Sequence, residues 1–145
     1  MLNKTDVEIL WTLKELSKNS TKSDIVKSND SLTFNDNFRM RLLFLKDGDF
    51  VTMESVQDYG IHYGIKKKAL DLIWSDVTRD NILNLLSISE YPINKITQFM
   101  DDSAENIRDE LNSLKLSDSP LIESVMTNDE EQFKLTVIGK QHFKD

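Results

Sequence analysis

The segment FKLTVIGK, residues 133–140, decides how this 145-residue chain is expected to fold. Alternating apolar and polar residues predict a β-strand from Phe133 to Val137, and Gly139 opens a short closing segment. The earlier run from Pro120 to Met126 predicts a partner strand, and the polar residues 128–131 predict the turn between the two strands. This part of the chain is therefore predicted to be a β-hairpin.

Three helix signals precede that hairpin. Thr78 is expected to cap the first helix, and Pro92 fits the first turn of the second. Asp102 or Ser103 is expected to cap the third helix. The third helix also has apolar residues at i, i+4 and i+7, which are Ile107, Leu111 and Leu114.

The first half of the chain shows a similar order of signals. Thr5, Thr21 and Thr33 each stand three residues before an acidic residue, which is the spacing of a capping box and predicts three helix starts. A strand from Phe50 to Met53 is then followed by a turn and by a returning strand from Ile61 to Tyr63. A closing helix completes this half.

The repeated order predicts a domain duplication, in which Tyr59 of the first half matches Phe133 of the second. A repeat of about 70 residues is longer than the periods of solenoid proteins, so it indicates two domains in tandem. The predicted fold class is mainly α with small β-hairpins (α+β). The two predicted domains are residues 1–75 and residues 76–145.

The segment from Phe38 to Leu45 is compatible with two structures. The capping signal at Thr33 and the match to the second half favour a helix. The alternation from Phe38 to Phe44, with Arg39 and Arg41 between apolar residues, is instead typical of a half-buried strand. That strand would form a hairpin with the strand after it. We keep the helix as the prediction and the strand as the alternative.

The pattern of the second half resembles the winged helix-turn-helix superfamily. The segment from Phe133 to Lys140 is similar to the end of the superfamily's wing, where aromatic–x–Leu–Thr–x–x–Gly leads the strand into the next helix. The residues that resemble its recognition helix and the start of its wing are Ile107, Leu111, Leu114, Leu121 and Ile122. The resemblance covers most of residues 78–143 and, more loosely, residues 5–74, where Gly64 comes one place early. It implies two tandem winged-helix domains.

The resemblance implies that a DNA-binding unit would place its third helix in the major groove. Residues 1–74 carry 11 Lys/Arg and 11 Asp/Glu, whereas residues 75–145 carry 7 and 14, so the first unit is the better candidate. Arginine can pair with guanine, asparagine with adenine, and lysine with phosphate. The candidate DNA-binding residues are Asn35, Asn37, Arg39, Arg41, Lys66, Lys67 and Lys68. The first hypothesis is a double-stranded DNA-binding protein that regulates transcription; in the alternative, these side chains only form a solvated face.

The second unit is expected to contact protein, either as a homodimer or with another partner, because its carboxylates would repel phosphates. The candidate protein-interaction residues of the whole chain are Met40, Leu43, Phe44, Asp129, Glu130 and Glu131. The first three lie opposite the core stripe of their helix, and a helix that is apolar on two faces lies between layers or meets a partner. The second hypothesis is an acidic interaction module, which is either an adaptor or a nucleic-acid mimic that inhibits a basic partner.

An enzyme is not expected. The chain has no cysteine, no P-loop, no glycine-rich dinucleotide turn and no Gly–x–Ser–x–Gly motif. Its two histidines, His62 and His142, lie near separate hairpins, so neither a metal site nor a cofactor is expected. No run approaches the roughly 18 apolar residues of a transmembrane helix. The expected location is therefore cytoplasmic, with no membrane partner.

Overall fold

The structure is a computed structural model; it describes residues 1–143 and has the α+β fold that the sequence predicts. These residues form eight helices and two small antiparallel sheets, one of two strands and one of three. The chain divides into two compact units, Met1–Asp71 and a second unit that begins at Leu72. The division falls a few residues before the predicted boundary after residue 75. Positions 144 and 145 of the predicted second domain lie outside the described residues.

Three helices and a β-hairpin form the first unit, and a fourth helix begins in it. The bounds are Lys4–Leu16 for α1, Lys22–Lys27 for α2, Asp36–Asp47 for α3, Val51–Val56 for β1, Gly60–Ile65 for β2 and Lys67–Ile73 for α4. Strand β2 pairs with β1 along one edge. On its other edge, Tyr63 exchanges two backbone hydrogen bonds with Ser20, at 2.8 and 2.7 Å. Strand β2 is therefore held on both sides.

The segment from Phe38 to Leu45 is helical, so the strand alternative is wrong. It lies within α3, whose buried residues are Phe38, Leu42 and Leu45. Asn35 caps α3 by accepting a hydrogen bond from the backbone N–H of Phe38 at 2.9 Å. The predicted cap at Thr33 is wrong, because Asn35 is nearer and is one of the strongest N-cap residues.

The other two caps of the first unit give one confirmation and one correction. Thr21 and Asp24 form the predicted capping box at the start of α2, and the hydrogen bonds from Thr21 hold the pKa of Asp24 below its usual value. Helix α1 starts earlier than predicted, because Asn3 and Asp6 form its capping box and Thr5 lies inside the helix. The asparagine–aspartate pair has the same three-residue spacing and begins two positions earlier.

The second unit contains four helices and a three-stranded sheet in its described part. The bounds are Thr78–Ile88 for α5, Tyr91–Pro92 for β3, Ile93–Phe99 for α6, Ala104–Lys115 for α7, Ile122–Thr127 for β4, Glu130–Leu135 for β5 and Val137–Gln141 for α8. Strand β5 is central, between β3 and β4. Ser103 caps α7, as one of the two predicted candidates. The predicted cap at Thr78 is wrong, because Thr78 is the first helical residue of α5, which has no side-chain cap.

The two returning strands occupy the same place in the order of elements, but the predicted match between Tyr59 and Phe133 is wrong. In the second unit Phe133 pairs with Tyr91, which lies just after the first helix. In the first unit the residue with the corresponding pairing is Tyr63, through its bridge to Ser20. Tyr59 lies in the hairpin turn, where the loop is longer than the two-residue turn of the second hairpin.

The Leu–Thr–x–x–Gly part of the quoted segment has a physical explanation. Thr136 caps α8 by accepting from the backbone N–H of Gly139 at 3.0 Å, and its hydroxyl donates to the carbonyl of Pro120 at 2.7 Å. A Cβ atom on Gly139 would lie 2.1 Å from the backbone oxygen of Leu121. Glycine is therefore required because the backbone before β4 passes directly over α8.

We expect Gly139→Ala to lower the free energy of unfolding by about 1–3 kcal/mol, since the added methyl group forces the backbone apart. Val137→Ala is the matched control, because Val137 lies on the same short helix and is 73% exposed; it should change stability by less than about 0.5 kcal/mol. Urea denaturation followed by circular dichroism measures both. Equal midpoints for the two variants would contradict this explanation of the glycine.

Candidate functional site

The exposed side of α3 carries two apolar side chains between two carboxylates. Met40 and Leu43 are 69% and 54% exposed. The side chains of Asp36 and Asp47, about one turn to either side, are 97% and 64% exposed. These four positions recur at i, i+4, i+7 and i+11, so they form one stripe opposite the buried residues of the helix. We call this stripe the α3 outer face.

Phe44, the third apolar candidate for a protein contact, lies at the edge of this stripe and is only half-buried. The guanidinium of Arg41 stacks on its ring, 4.1 Å from the ring centre. The structure therefore brings Met40 and Leu43 together on the open surface and places Phe44 beside them.

Arg41, a predicted DNA contact, forms an ion pair with Asp6 of α1. Its Nε donates to Asp6 Oδ1 at 2.9 Å, and its Nη2 donates to Asp6 Oδ2 at 2.5 Å. The same Nη2 also donates to the carbonyl of Met1 at 2.9 Å. The Asp6 side chain is fully buried, and its hydrogen bond raises the pKa of Arg41 above the usual value. The Nε and Nη2 donors of this guanidinium are thus occupied within the unit.

Sequence reasoning missed Asp6 as a functional partner of α3. An acidic residue in the first turn of a helix is usually explained by capping and the helix dipole, and Asp6 does serve that role through the backbone N–H of Asn3. The signal that could have found the pair is the position of Asp6 one turn before Ile9 and Leu10, on the side of the helix that these apolar residues bury.

The two predicted asparagines are used locally. The side-chain oxygen of Asn35 caps α3, and the side-chain amide of Asn37 donates to the hydroxyl of Thr5 at 3.3 Å. Their amides therefore have partners within the first unit, although both side chains are exposed.

Arg39 is the predicted arginine that remains accessible. It pairs with Asp36 at 3.0 Å, and its side chain is 44% exposed. Its guanidinium also lies over the ring of Phe34, 4.5 Å from the centre. An exposed pair of this kind contributes about 0–1 kcal/mol, so Arg39 can exchange partners at little cost.

The three predicted lysines lie together after β2 and are engaged in weak surface contacts. Lys66 pairs with Asp49, and Lys67 pairs with Asp71 at 2.7 Å. Lys68 donates to a backbone carbonyl just after α3 at 2.7 Å. These contacts are exposed, so all three cations remain able to meet an anion.

The hairpin of the first unit adds no cation to this group. Residues 51–65 contain no lysine or arginine, and they include Glu54 and Asp58. A backbone phosphate that approached this hairpin would therefore meet carboxylates.

Helix α7, which has the corresponding place in the second unit, has a polar and acidic exposed face. Glu105, Asp109 and Asn112 are exposed along it, together with one cation, Arg108. An open depression of about 510 Å³ beside it is lined by residues from α5 and α7 and from the loops that precede these two helices. Its charged lining residues are Asp76, Arg79, Asp102, Asp109 and Glu110.

At the acidic hairpin tip of the second unit, the backbone of the turn explains why Asp129 is present. Asn128 and Asp129 both have positive φ angles, 53° and 64°, which a two-residue hairpin turn of this type requires. Glu130 and Glu131 are exposed. Glu130 accepts a hydrogen bond from Gln132 at 3.0 Å, and Glu131 lies 4.0 Å from Lys115.

Residues 1–143 contain no group of three or more histidine or acidic side chains that could hold a metal ion. No helix in the described part of the chain has the length and apolar character needed to cross a membrane. The sequence matches no protein-family model, and no curated protein shows significant similarity to it.

We expect Arg41→Ala to lower the free energy of unfolding by about 3 kcal/mol, because it leaves the buried carboxylate of Asp6 without its cation. Arg39→Ala, which removes an exposed pair on the same helix, should cost less than about 1 kcal/mol. Thermal and urea unfolding of both variants measures the difference. Similar losses for the two would show that the Asp6 pair does not stabilise the unit.

Proposed function

We propose that this chain is a tandem winged-helix protein that acts by contacting other proteins and catalyses no reaction. Each unit has three helices and then a hairpin whose second strand is paired on both edges, and this order supports the winged-helix assignment. Helices α3 and α7 then take the position of the recognition helix. The proposal depends on what these two helices present to solvent.

The α3 outer face is the observation that carries the proposal. Its centre is Met40 and Leu43, and the carboxylates of Asp36 and Asp47 lie at its ends. A helix that reads a major groove presents cations and amides to phosphates and base edges. Exposed methionine and leucine side chains are instead typical of protein contact surfaces.

Electrostatics supports the same conclusion for this helix. Arg41 is neutralised by Asp6, and Arg39 pairs with Asp36. Affinity for DNA depends on the number of phosphates that cations neutralise. The face of α3 therefore supplies little of the charge that a groove-binding helix needs.

The second unit supports a role in protein contact as well. The side chains exposed along α7 include Glu105 and Asp109, and the hairpin tip adds Glu130 and Glu131. A surface with this charge is complementary to a lysine- and arginine-rich protein. The partner of this unit is accordingly a basic protein, for which the chain serves as an adaptor or as a nucleic-acid-mimicking inhibitor.

Duplex DNA binding by the first unit, as in a transcription regulator, is the second candidate function. The observation that favours it is the cluster of Lys66, Lys67 and Lys68, whose ion pairs and backbone hydrogen bond are exposed. Lys67 has a side-chain exposure of 86%. Together with Arg39, these residues could neutralise several phosphates.

Fluorescence anisotropy with a labelled duplex of mixed sequence separates the two functions. We expect no affinity for the duplex that weakens as the salt concentration rises from about 50 to 200 mM. The reason is that the outer face of α3 lacks cations at its centre. The control is a variant with alanine at Lys66, Lys67 and Lys68, which should behave as the wild type. Tight, salt-dependent binding by the wild type that this variant loses would overturn the proposal in favour of DNA.

The same assay with a labelled lysine- and arginine-rich helical peptide tests the second unit. We expect the double variant Glu105→Lys, Asp109→Lys to weaken binding at least about tenfold, because it reverses the charge of the exposed α7 face. The matched control is the double variant Asp118→Lys, Glu123→Lys, which changes the net charge equally at two exposed positions outside α7. Equal losses in both variants would show that only the net charge of the chain matters.

A further inference from the structure

We infer that a depression in the second unit binds the guanidinium of an arginine side chain on a partner protein. This inference rests on the proposed role of the second unit in binding a basic protein, and it names the residue type that the unit binds. The depression has a volume of about 270 Å³ and is lined by the segment between α4 and α5, by α5 itself and by the residues just after α6. Trp74, Asp76, Met100 and Asp101 form its walls, and we call it the Trp74 pocket.

The walls of the Trp74 pocket combine an aromatic ring with carboxylates. Trp74 is half-buried, Met100 is buried, and Asp76 and Asp101 are exposed. Among the described residues that line the pocket there is no lysine, arginine or histidine. Within residues 1–143, the carboxylate of Asp76 makes no hydrogen bond or ion pair. The complementary occupant is therefore a cation that can also pack against an indole ring.

Hydrogen bonds within the second unit hold these walls in place. The indole Nε1 of Trp74 donates to the carbonyl of Phe99 at 2.6 Å. The buried side chain of Asn81 accepts from the backbone N–H and the hydroxyl of Ser75, at 3.0 and 2.9 Å, and donates to the carbonyl of Ser75 at 2.8 Å. Ser75 stands between Trp74 and Asp76, so the segment that carries both walls is fixed. A preformed site loses less conformational entropy when it binds.

Arginine fits the Trp74 pocket better than the other side chains that could enter it. Its planar guanidinium stacks on aromatic rings and pairs with carboxylates, whereas the ammonium of lysine is a compact and strongly hydrated charge. A purely apolar side chain would remove water from the carboxylate of Asp76 without replacing its hydrogen bonds. An acidic side chain or a phosphate would be repelled by Asp76 and Asp101. The volume lies just below the roughly 300–1,000 Å³ of small-molecule pockets, which suits a single side chain.

The Trp74 pocket adjoins the acidic depression beside α7. The two share Asp76 and Thr78 as lining residues. In that depression, the hydrogen bonds from Asn106 and from the backbone of Ser103 lower the pKa of Asp102, which keeps this carboxylate ionised. A basic partner that lies along α7 can therefore place one arginine in the pocket while its other cations face the acidic depression.

Tryptophan fluorescence tests whether an arginine reaches Trp74. The chain has two tryptophans, so Trp11→Phe leaves Trp74 as the only reporter. The probe is an oligoarginine peptide, and the control is an oligolysine peptide of the same length. We expect oligoarginine to change the Trp74 emission in a saturable way and to bind at least about threefold more tightly than oligolysine. Oligoarginine that binds without changing this emission, or equal affinity for the two peptides, would overturn the inference.

A matched pair of variants tests the carboxylate. Asp76→Asn keeps the size of the side chain and removes its charge, so we expect it to raise the dissociation constant for oligoarginine at least about threefold. The control is Asp118→Asn, which removes the same charge at an exposed position that lines neither depression. Circular dichroism checks that both variants fold. Equal effects of the two variants would show that only net charge matters and would contradict the pocket.

Anisotropy of the labelled peptides separates the pocket from the proposed function. A chain that binds the lysine- and arginine-rich helical peptide with no response at Trp74 has no arginine pocket, although its role toward a basic protein stands. A chain that binds none of these peptides would sink the proposed function of the second unit, and the pocket with it.

Discussion

The buried ion pair between Asp6 and Arg41 fixes how α3 is rotated against α1. Asp6 is fully buried and accepts hydrogen bonds from Arg41 and from the backbone N–H of Asn3. A buried carboxylate that lost its cation would be strongly destabilising, so this side of α3 must face α1. Since successive helical residues are about 100° apart, Met40 and Leu43 are then directed away from the core. The ion pair thereby determines which side chains α3 exposes to solvent.

A second polar cluster attaches the connection between α2 and α3 to the same helix. The amide of Asn29 donates to Glu8 at 2.7 Å and to the hydroxyl of Thr12 at 2.9 Å, and all three residues are buried. Buried polar groups cost free energy unless they are hydrogen-bonded. The sequence spacing between Asn29 and α1 gives no hint of this contact, and Glu8 was instead expected to serve as a capping residue.

The features that the sequence predicted are those set by local chemistry. The capping box at Thr21 and the buried stripe of α3 depend on residues within one helix, and the second hairpin depends on a short turn and alternation. The predictions that failed at the first unit's helix caps and at Arg41 involve either two residues that compete to cap one helix or a partner that is distant in the sequence. Asn3 and Asn35 displaced the predicted threonine caps because they are stronger cap residues close by. Arg41 was assigned to DNA because its partner, Asp6, lies far away in the chain.

The two units show how one order of elements can present different surfaces. In both units the buried stripe of the third helix packs on the core, which leaves the opposite stripe free of folding constraints. On α7 that stripe carries Glu105 and Asp109, and on α3 it carries Met40 and Leu43 between two carboxylates. The third helices of the two units therefore expose chemically different surfaces, although they occupy the same place in the order of elements.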